Sequence, residues 1–258
     1  MRALPCLIAL ALAGCAQHDA PAPQPQSFCA ERIFEESAFT VCDAKGGQLR
    51  LIAAGPDEDA PRSFSDLAAK IDPARVAFAM NAGMFDEEGR PIGLAVSDGL
   101  QKHAINLRKG GGNFHLLPNG VFVVEAGGRA AIHQSKALPT FKTASYLATQ
   151  SGPMLVIKGK LHPSFEADGK SRYVRNGVGV RDGRAIFVIS EEPVSFGKLA
   201  RFFRDSLKTP DALYFDGAVS SLWDPANGRQ DSYSLLGPMI VAFRPAESAP
   251  DREGRAKP

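Results

Sequence analysis

Between residues 28 and 243 the chain alternates short apolar or period-two stretches with clusters of Gly, Asn, Asp and Pro, the signature of strands separated by tight turns. Ala38–Cys42 and Gln48–Ala54 read as two strands, and the glycines in Asp43–Gly47 suit a hairpin between them. Val76–Met80 and Ala212–Phe215 are fully apolar runs, as expected of buried strands. Gly93–Ser97 stops at Asp98-Gly99, and Asn113–Leu117 and Val121–Glu125 flank Pro118-Asn119-Gly120, where Asn-Gly signals a hairpin. Ala130–His133 adds a strand, as does Pro153–Ile157, which precedes the turn Lys158-Gly159-Lys160. Gly177–Val180 pairs through Asp182-Gly183 with Ala185–Ser190, and Leu235–Phe243 is a last strand interrupted by Gly237-Pro238.

Only two stretches carry helical spacing. Ser63–Ile71 has apolar positions at Phe64, Leu67, Ala68 and Ile71 behind a serine cap, and Ser195–Leu207 builds a broad face from Phe196, Leu199, Phe202, Phe203 and Leu207. Many strands, hairpin connections and few helices predict an α+β fold: a single domain with a mixed, largely antiparallel β-sheet and a few packed helices. The domain spans 28–243, and a polar, Pro-containing tail, 244–258, is expected to be disordered.

Composition narrows the functional classes. Of 258 residues, 44% are hydrophobic and 22% charged, which fits one large globular domain. The net charge is +2, and Lys and Arg are interspersed with Asp and Glu, so nucleic acid is excluded as a partner.

The N-terminus indicates export. Met1-Arg2, the apolar Leu4–Leu12 and Ala13-Gly14 before Cys15 form a signal peptide, 1–14, too short to span a bilayer. Leu12-Ala13-Gly14-Cys15 is similar to a bacterial lipobox, which makes Cys15 the lipidation site and 15–27 a disordered tether. The alternative is cleavage elsewhere with Cys15 incidental. Ala16 in place of an aspartate after Cys15 resembles enterobacterial lipoproteins held at the periplasmic face of the outer membrane. Cys6 leaves with the signal, so Cys29 and Cys42 remain either as a disulfide or as two buried thiols.

Candidate chemistry gathers where strands end. Asp216-Gly217, then Ser220 and Ser221, close the Ala212–Phe215 strand with a carboxylate, a glycine and two hydroxyls. An Asx-type turn is the plain alternative. Similar small and polar clusters occur at Asn81–Asp86, Gly110–His115 and Thr149–Pro153, and Arg175-Asn176 precedes Gly177. Small residues admit a ligand to the backbone, and amides and hydroxyls orient it. No phosphate-cradling P-loop, dinucleotide fingerprint or nucleophile elbow is present. His103, His115, His133 and His162 lack metal-ligand spacing. No cofactor is called for. Loop carboxylates such as Asp86 supply oxygen donors for calcium, with no spacing that requires it.

The segments N-A-G-M-F, G-N-F-H-L-L-P-N-G-V-F, A-T-Q-S-G-P-M-L-V, R-N-G-V-G-V and Y-F-D-G-A-V-S-S-L-W, in this order between Val76 and Val241, resemble the phosphodiester glycosidase family, and within it an exported bacterial branch. The resemblance implies hydrolysis of a sugar-1-phosphodiester at its glycosidic bond. Asp216 matches the aspartate of the family's D-G-G-G-S motif, Asn81 its N-G-G-F/Y-F asparagine, and Arg175 the arginine before its G-V-G strand. Ser151 and Gly152 match its Q-S/T-x-G-P element. Two departures, Ala82 for a glycine and Ala218-Val219 within D-G-G-G-S, predict a narrower pocket.

Glycosyl-phosphate cleavage calls for a carboxylate at an oxocarbenium-like centre and a cation on phosphate. The expected catalytic residues are therefore Asp216, Arg175 and Asn81. Asn113, Ser151, Gly152, Asn176, Gly217, Ser220 and Ser221 are expected to bind substrate, with Asp86 or Glu191 as a second carboxylate. Arg175 could instead form a structural ion pair, for instance with Asp216. Two other functional classes stay open: a glycan-binding envelope lipoprotein without turnover, and a structural envelope protein. The sequence does not set the oligomeric state.

Overall fold

The computed structural model describes residues 26–138 and 145–245. The signal peptide, Cys15 and most of the tether lie outside the described residues, as does the tail from 246. Gln26 and Ser27 belong to the fold: the Ser27 hydroxyl donates to Asp224 Oδ2 at 2.7 Å.

The architecture is α+β, built of three sheets in which every named pairing is antiparallel. A seven-stranded sheet contains Cys29–Phe34, Ser37–Asp43, Arg184–Ser190, Asn176–Arg181, Asp211–Tyr214, Met154–Ile157 and Lys160–Leu161 in that order. A five-stranded sheet runs Arg229–Gln230, Leu222–Asp224, Val76–Asn81, Met239–Phe243 and Leu49–Ile52. The third sheet runs Leu100–His103, Ala95–Ser97, Ser145–Ser151, Gly120–Glu125 and Ala130–Gln134.

Their facing sides share one core. Phe78 of the second sheet meets Phe187 of the first with ring centroids 5.4 Å apart, and Phe122 of the third meets the same ring at 5.9 Å. Val76–Asn81 is buried at every position, which explains its unbroken apolar run. The Ser63 hydroxyl caps helix Phe64–Ala68, and Ser195 caps helix Phe196–Arg201, which loosens into a π-turn over Phe202–Ser206. The aromatic face of that second helix packs on the outer side of the large sheet, with Phe202 stacked on Phe39 at 4.2 Å.

Cys29 and Cys42 form a disulfide between directly paired residues of adjacent strands.

Two expected hairpins are absent. Ser37–Asp43 pairs with Cys29–Phe34 and Arg184–Ser190, whereas Leu49–Ile52 pairs with Met239–Phe243, so the Asp43–Gly47 turn carries the chain from one sheet to another. Gly47 makes that crossing by close approach: a Cβ there would lie 1.9 Å from the Phe243 carbonyl oxygen. Asn113–Leu117 is not a strand, since Asn113–His115 forms a single 3-10 turn. The Asn119 amide donates to the Phe114 carbonyl at 2.8 Å, which closes a compact loop where the sequence suggested a two-residue reversal.

Strand register divides the molecule into two ends. Asn81, Ser151, Asn176, Ser190 and Tyr214 all close or open their strands at the same end. The turns at Asp98-Gly99, Lys158-Gly159 and Asp182-Gly183 lie at the other.

Candidate active site

Asp216 leaves its strand in extended backbone, with φ −77° and ψ 93°. Three elements hold it. Its amide donates to the Ala82 carbonyl at 3.0 Å, its carbonyl accepts from Asn81 Nδ2 at 2.7 Å, and its carboxylate accepts from the Ala218 amide at 3.2 Å. Among the described residues that amide is the carboxylate's only hydrogen-bond donor. Burial pushes the Asp216 carboxyl above its ordinary value, and the Ala218 amide only partly opposes this. A carboxyl in that condition is suited to carrying a proton.

Asn81, Asn176, Ser220 and Ser221 are brought together beside it. Asn81 Oδ1 accepts from Asn176 Nδ2 at 2.8 Å and from the Ser221 amide at 2.9 Å. Asn176 Nδ2 also donates to the Asn81 carbonyl at 3.0 Å. The Ser220 hydroxyl lies 3.0 Å from the Val174 carbonyl and 3.3 Å from Asn176 Oδ1, and the Ser221 hydroxyl donates to the Val219 carbonyl at 2.8 Å. All four residues are buried. Their polar groups therefore fix one another and the backbone of the Asp216 turn, which makes them a rigid support for the carboxylate.

Arg175 is 1% exposed and forms no ion pair with Asp216 or any other carboxylate among the described residues. Its Nε donates to the Val194 carbonyl at 2.9 Å, Nη1 to the Tyr214 hydroxyl at 3.0 Å, and Nη2 to the Ser171 carbonyl and hydroxyl at 3.1 and 3.0 Å. Phe196 lies against the guanidinium, 3.6 Å from Cζ to ring centroid. The fork geometry suggested for phosphate is thus occupied by protein acceptors. Burial depresses the Arg175 pKa, the direction expected for a cation with no anion beside it.

Ser151, Gly152 and Asn113 form a neighbouring cluster. The Pro153 carbonyl accepts from the Tyr214 amide at 3.1 Å, which ties this segment to the Asp216 strand. Gly152 packs so closely on the 113–119 loop that a Cβ would sit 2.9 Å from the Phe114 carbonyl oxygen. The Ser151 hydroxyl is buried without a partner, and Asn113 is exposed.

The two candidate second carboxylates have other partners. Glu191 accepts from Thr40 Oγ1 at 2.6 Å and pairs with Arg229 at 2.7 Å, and Asp86 closes a loop by accepting from the Arg90 amide at 2.8 Å. Asp231, not singled out from sequence, caps the Leu222 amide at 2.9 Å and pairs with Arg229 at 3.0 Å. Tyr214 was also missed, because in the Ala212–Phe215 run it reads as core. The available signal was chemical: a buried tyrosine needs a partner for its hydroxyl. The described residues contain no cluster of three or more His, Cys, Asp or Glu side chains able to hold a metal.

Val219, one of the departures from D-G-G-G-S, packs with the Phe64–Trp223 cluster, and Ala218 is exposed. Neither side chain is buried over Asp216.

The profile of the phosphodiester glycosidase family matches residues 74–231, more than half of the chain. The chain belongs to the phosphodiester glycosidase family. The matched span contains Asn81, Ser151, Arg175, Asn176 and the Asp216–Ser221 turn. The protein YigE of Escherichia coli K12 is 39% identical over 150 residues, a stretch that makes up 58% of this chain and 58% of that relative.

Solved structures share the fold. The catalytic domain of zebrafish N-acetylglucosamine-1-phosphodiester α-N-acetylglucosaminidase, auto-inhibited by its pro-peptide, aligns with TM-score 0.58 at 14% identity, covering 88% of this chain and 86% of that one. A putative exported protein of Burkholderia pseudomallei aligns with TM-score 0.54 at 12% identity over 81% and 73% of the two chains.

Proposed function

We propose that this family member is an exported, lipid-anchored hydrolase that cleaves the glycosidic bond of a sugar-1-phosphodiester in an envelope glycan or polysaccharide. The observation that carries the reading is Asp216: a half-buried carboxyl with raised proton affinity, held at a strand end by the Asn81–Asn176–Ser221 network. In the reaction water adds to the anomeric carbon, the bond from that carbon to the bridging oxygen breaks, and the phosphate leaves as a monoester. Asp216 handles the proton, as carboxylates do at oxocarbenium-like centres. Arg175 contributes its buried positive field rather than an open fork.

The Leu4–Leu12 run with Cys15 supports export and lipidation, and the Cys29–Cys42 disulfide supports an oxidising compartment such as the periplasm. Lipidation is tested by a Cys15→Ser variant, which should appear in the soluble fraction, whereas continued membrane association would refute the anchor. The catalytic reading is tested with a panel of chromogenic sugar-1-phosphodiesters. The parent should turn over at least one, and Asp216→Asn should fold by circular dichroism and lose that turnover. Sugar binding without cleavage by the parent would support a glycan-binding lipoprotein instead.

A further inference from the structure

We propose that Tyr214 is a positioning residue that couples the buried Arg175 guanidinium to the Asp216-Gly217 turn through its phenolic oxygen. The inference rests on the reading of Asp216 as the working carboxyl and adds a residue that the family resemblance did not supply.

Four observations converge on it. Tyr214 is 2% exposed, and its hydroxyl accepts from Arg175 Nη1 at 3.0 Å. Phe196 fixes both partners, lying 3.6 Å from the guanidinium and edge-on to the Tyr214 ring at 4.7 Å. Gly217 abuts the same oxygen, since a Cβ on it would lie 1.7 Å from the phenolic oxygen and 2.5 Å from Cζ. The turn beside Asp216 can therefore approach the phenol only because residue 217 has no side chain. Finally, the Tyr214 hydroxyl meets no hydrogen-bond acceptor among the described residues.

The physical consequence is directional. A buried cation without an anion is costly to keep, and its charge acts along whatever hydrogen bonds it makes. Three of the Arg175 contacts end on backbone carbonyls or Ser171, away from the turn. The fourth ends on Tyr214, whose hydroxyl is polarised by the guanidinium and lies against the Gly217 backbone, the residue next to Asp216. The ionisable groups around this phenol are Arg175 and Asp216, with Tyr173 on the outer side of the guanidinium. Tyr214 thus sets both the position and the polarity of the surroundings of the Asp216 carboxyl.

The test is Tyr214→Phe, which deletes one oxygen and keeps the ring against Phe196. The expected result is a kcat lower by roughly ten- to a hundredfold with KM within about twofold, the scale on which misplacement of a catalytic group acts. The limb of the pH–rate profile that belongs to Asp216 should move to higher pH, because the carboxylate loses a polar neighbour. Arg175→Lys should act the same way, and the double variant should be little worse than either single one. Tyr173→Phe is the control and should change neither readout.

A titration of the 13C-labelled Asp216 carboxyl followed by NMR reports the coupling without substrate. If the parent hydrolyses nothing, the glycosidase reading fails, while this titration still decides the role of Tyr214. Should Tyr214→Phe not fold, 3-fluorotyrosine at position 214 keeps the oxygen, changes its acidity, and should still shift the Asp216 titration. A lowered melting temperature with unchanged kcat and an unmoved Asp216 titration would overturn the proposal.

Discussion

The two ends of the strands contain the same dipeptide in different settings. At the far end Asp98-Gly99 and Asp182-Gly183 are hairpin turns, with φ of 50° and 54° at the aspartates and 78° and 76° at the glycines. Asp98 is paired with Arg50 at the surface, and Asp182 is exposed. At the opposite end Asp216 has φ −77°, its glycine is in contact with a phenol, and its half-buried carboxyl has one hydrogen-bond donor among the described residues. The Asp98 carboxylate is neutralised by a surface arginine, whereas the Asp216 turn is held by neutral groups from segments near 81, 176 and 221. Long-range support for a carboxylate that it leaves largely unpaired is the mark of a site.

A wide opening does not serve as that mark. A cleft of about 690 Å³ lined by Arg129, His133, Lys158 and Asp182 lies at the hairpin end, yet none of the polar residues lining it is buried. The proposed placement of the chemistry at the Asp216 end rests on hydrogen-bond geometry rather than on size.

The comparison is broken most severely by exchanging the carboxylates one at a time. Asp216→Asn should reduce turnover by about a thousandfold or more, in the range of a lost acid–base group, while Asp182→Asn and Asp98→Asn leave it unchanged. Steady-state rates on the responsive substrate decide this. At the hairpin end, replacing Cys29 and Cys42 together by Ser should cost about 3 kcal/mol of stability in urea titrations with no change in kcat, because that bridge limits the unfolded chain and lies away from the site.

The glycines follow. Gly217→Ala should lose roughly 1–3 kcal/mol through overpacking against Tyr214, together with turnover. Gly183→Ala, strained by its φ of 76°, should lose about 1 kcal/mol and retain turnover.

The smallest effect is on pH. The Asp216 carboxyl is raised in the fold above its ordinary 3.8, so the folded state binds its proton more tightly than the unfolded state does. That contribution to stability is complete below 3.8 and is lost as pH rises through the folded value. Glu35 behaves oppositely: Arg201 holds it below its ordinary 4.5, so its contribution is present above 4.5 and is lost as pH falls through the lowered value. Melting curves of the parent and of Asp216→Asn should therefore diverge in favour of the variant as pH rises past 3.8.

Much of this arrangement was legible in the chain. Buried runs such as Val76–Asn81 and Asp211–Tyr214 announce themselves by apolar continuity, and the polar clusters that follow them mark the end where Asn81, Asn176 and Asp216 meet. Sheet partnership was not legible. The glycines of Asp43–Gly47 signal a reversal, but nothing local says that Leu49–Ile52 joins Met239–Phe243 in another sheet.

Ser145–Ser151 was hidden as a strand because Thr149, Gln150 and Ser151 look like loop chemistry. Gln150 is in fact buried, with Nε2 donating to the Asn106 carbonyl and Oε1 accepting the Leu94 and Asn106 amides. Cys29–Phe34 was hidden for the opposite reason, being an edge strand exposed along most of its length. Tyr214 was obscured by its neighbours, since an apolar run gives no hint of which residue will receive a buried arginine.

The most direct test of the account is hydrolysis of a responsive sugar-1-phosphodiester by the parent protein in oxygen-18 water, with mass spectrometry of both products. Cleavage at the glycosidic bond predicts the label in the anomeric hydroxyl of the sugar and none in the phosphate. Label in the phosphate, or a rate that Asp216→Asn leaves unchanged, would contradict it.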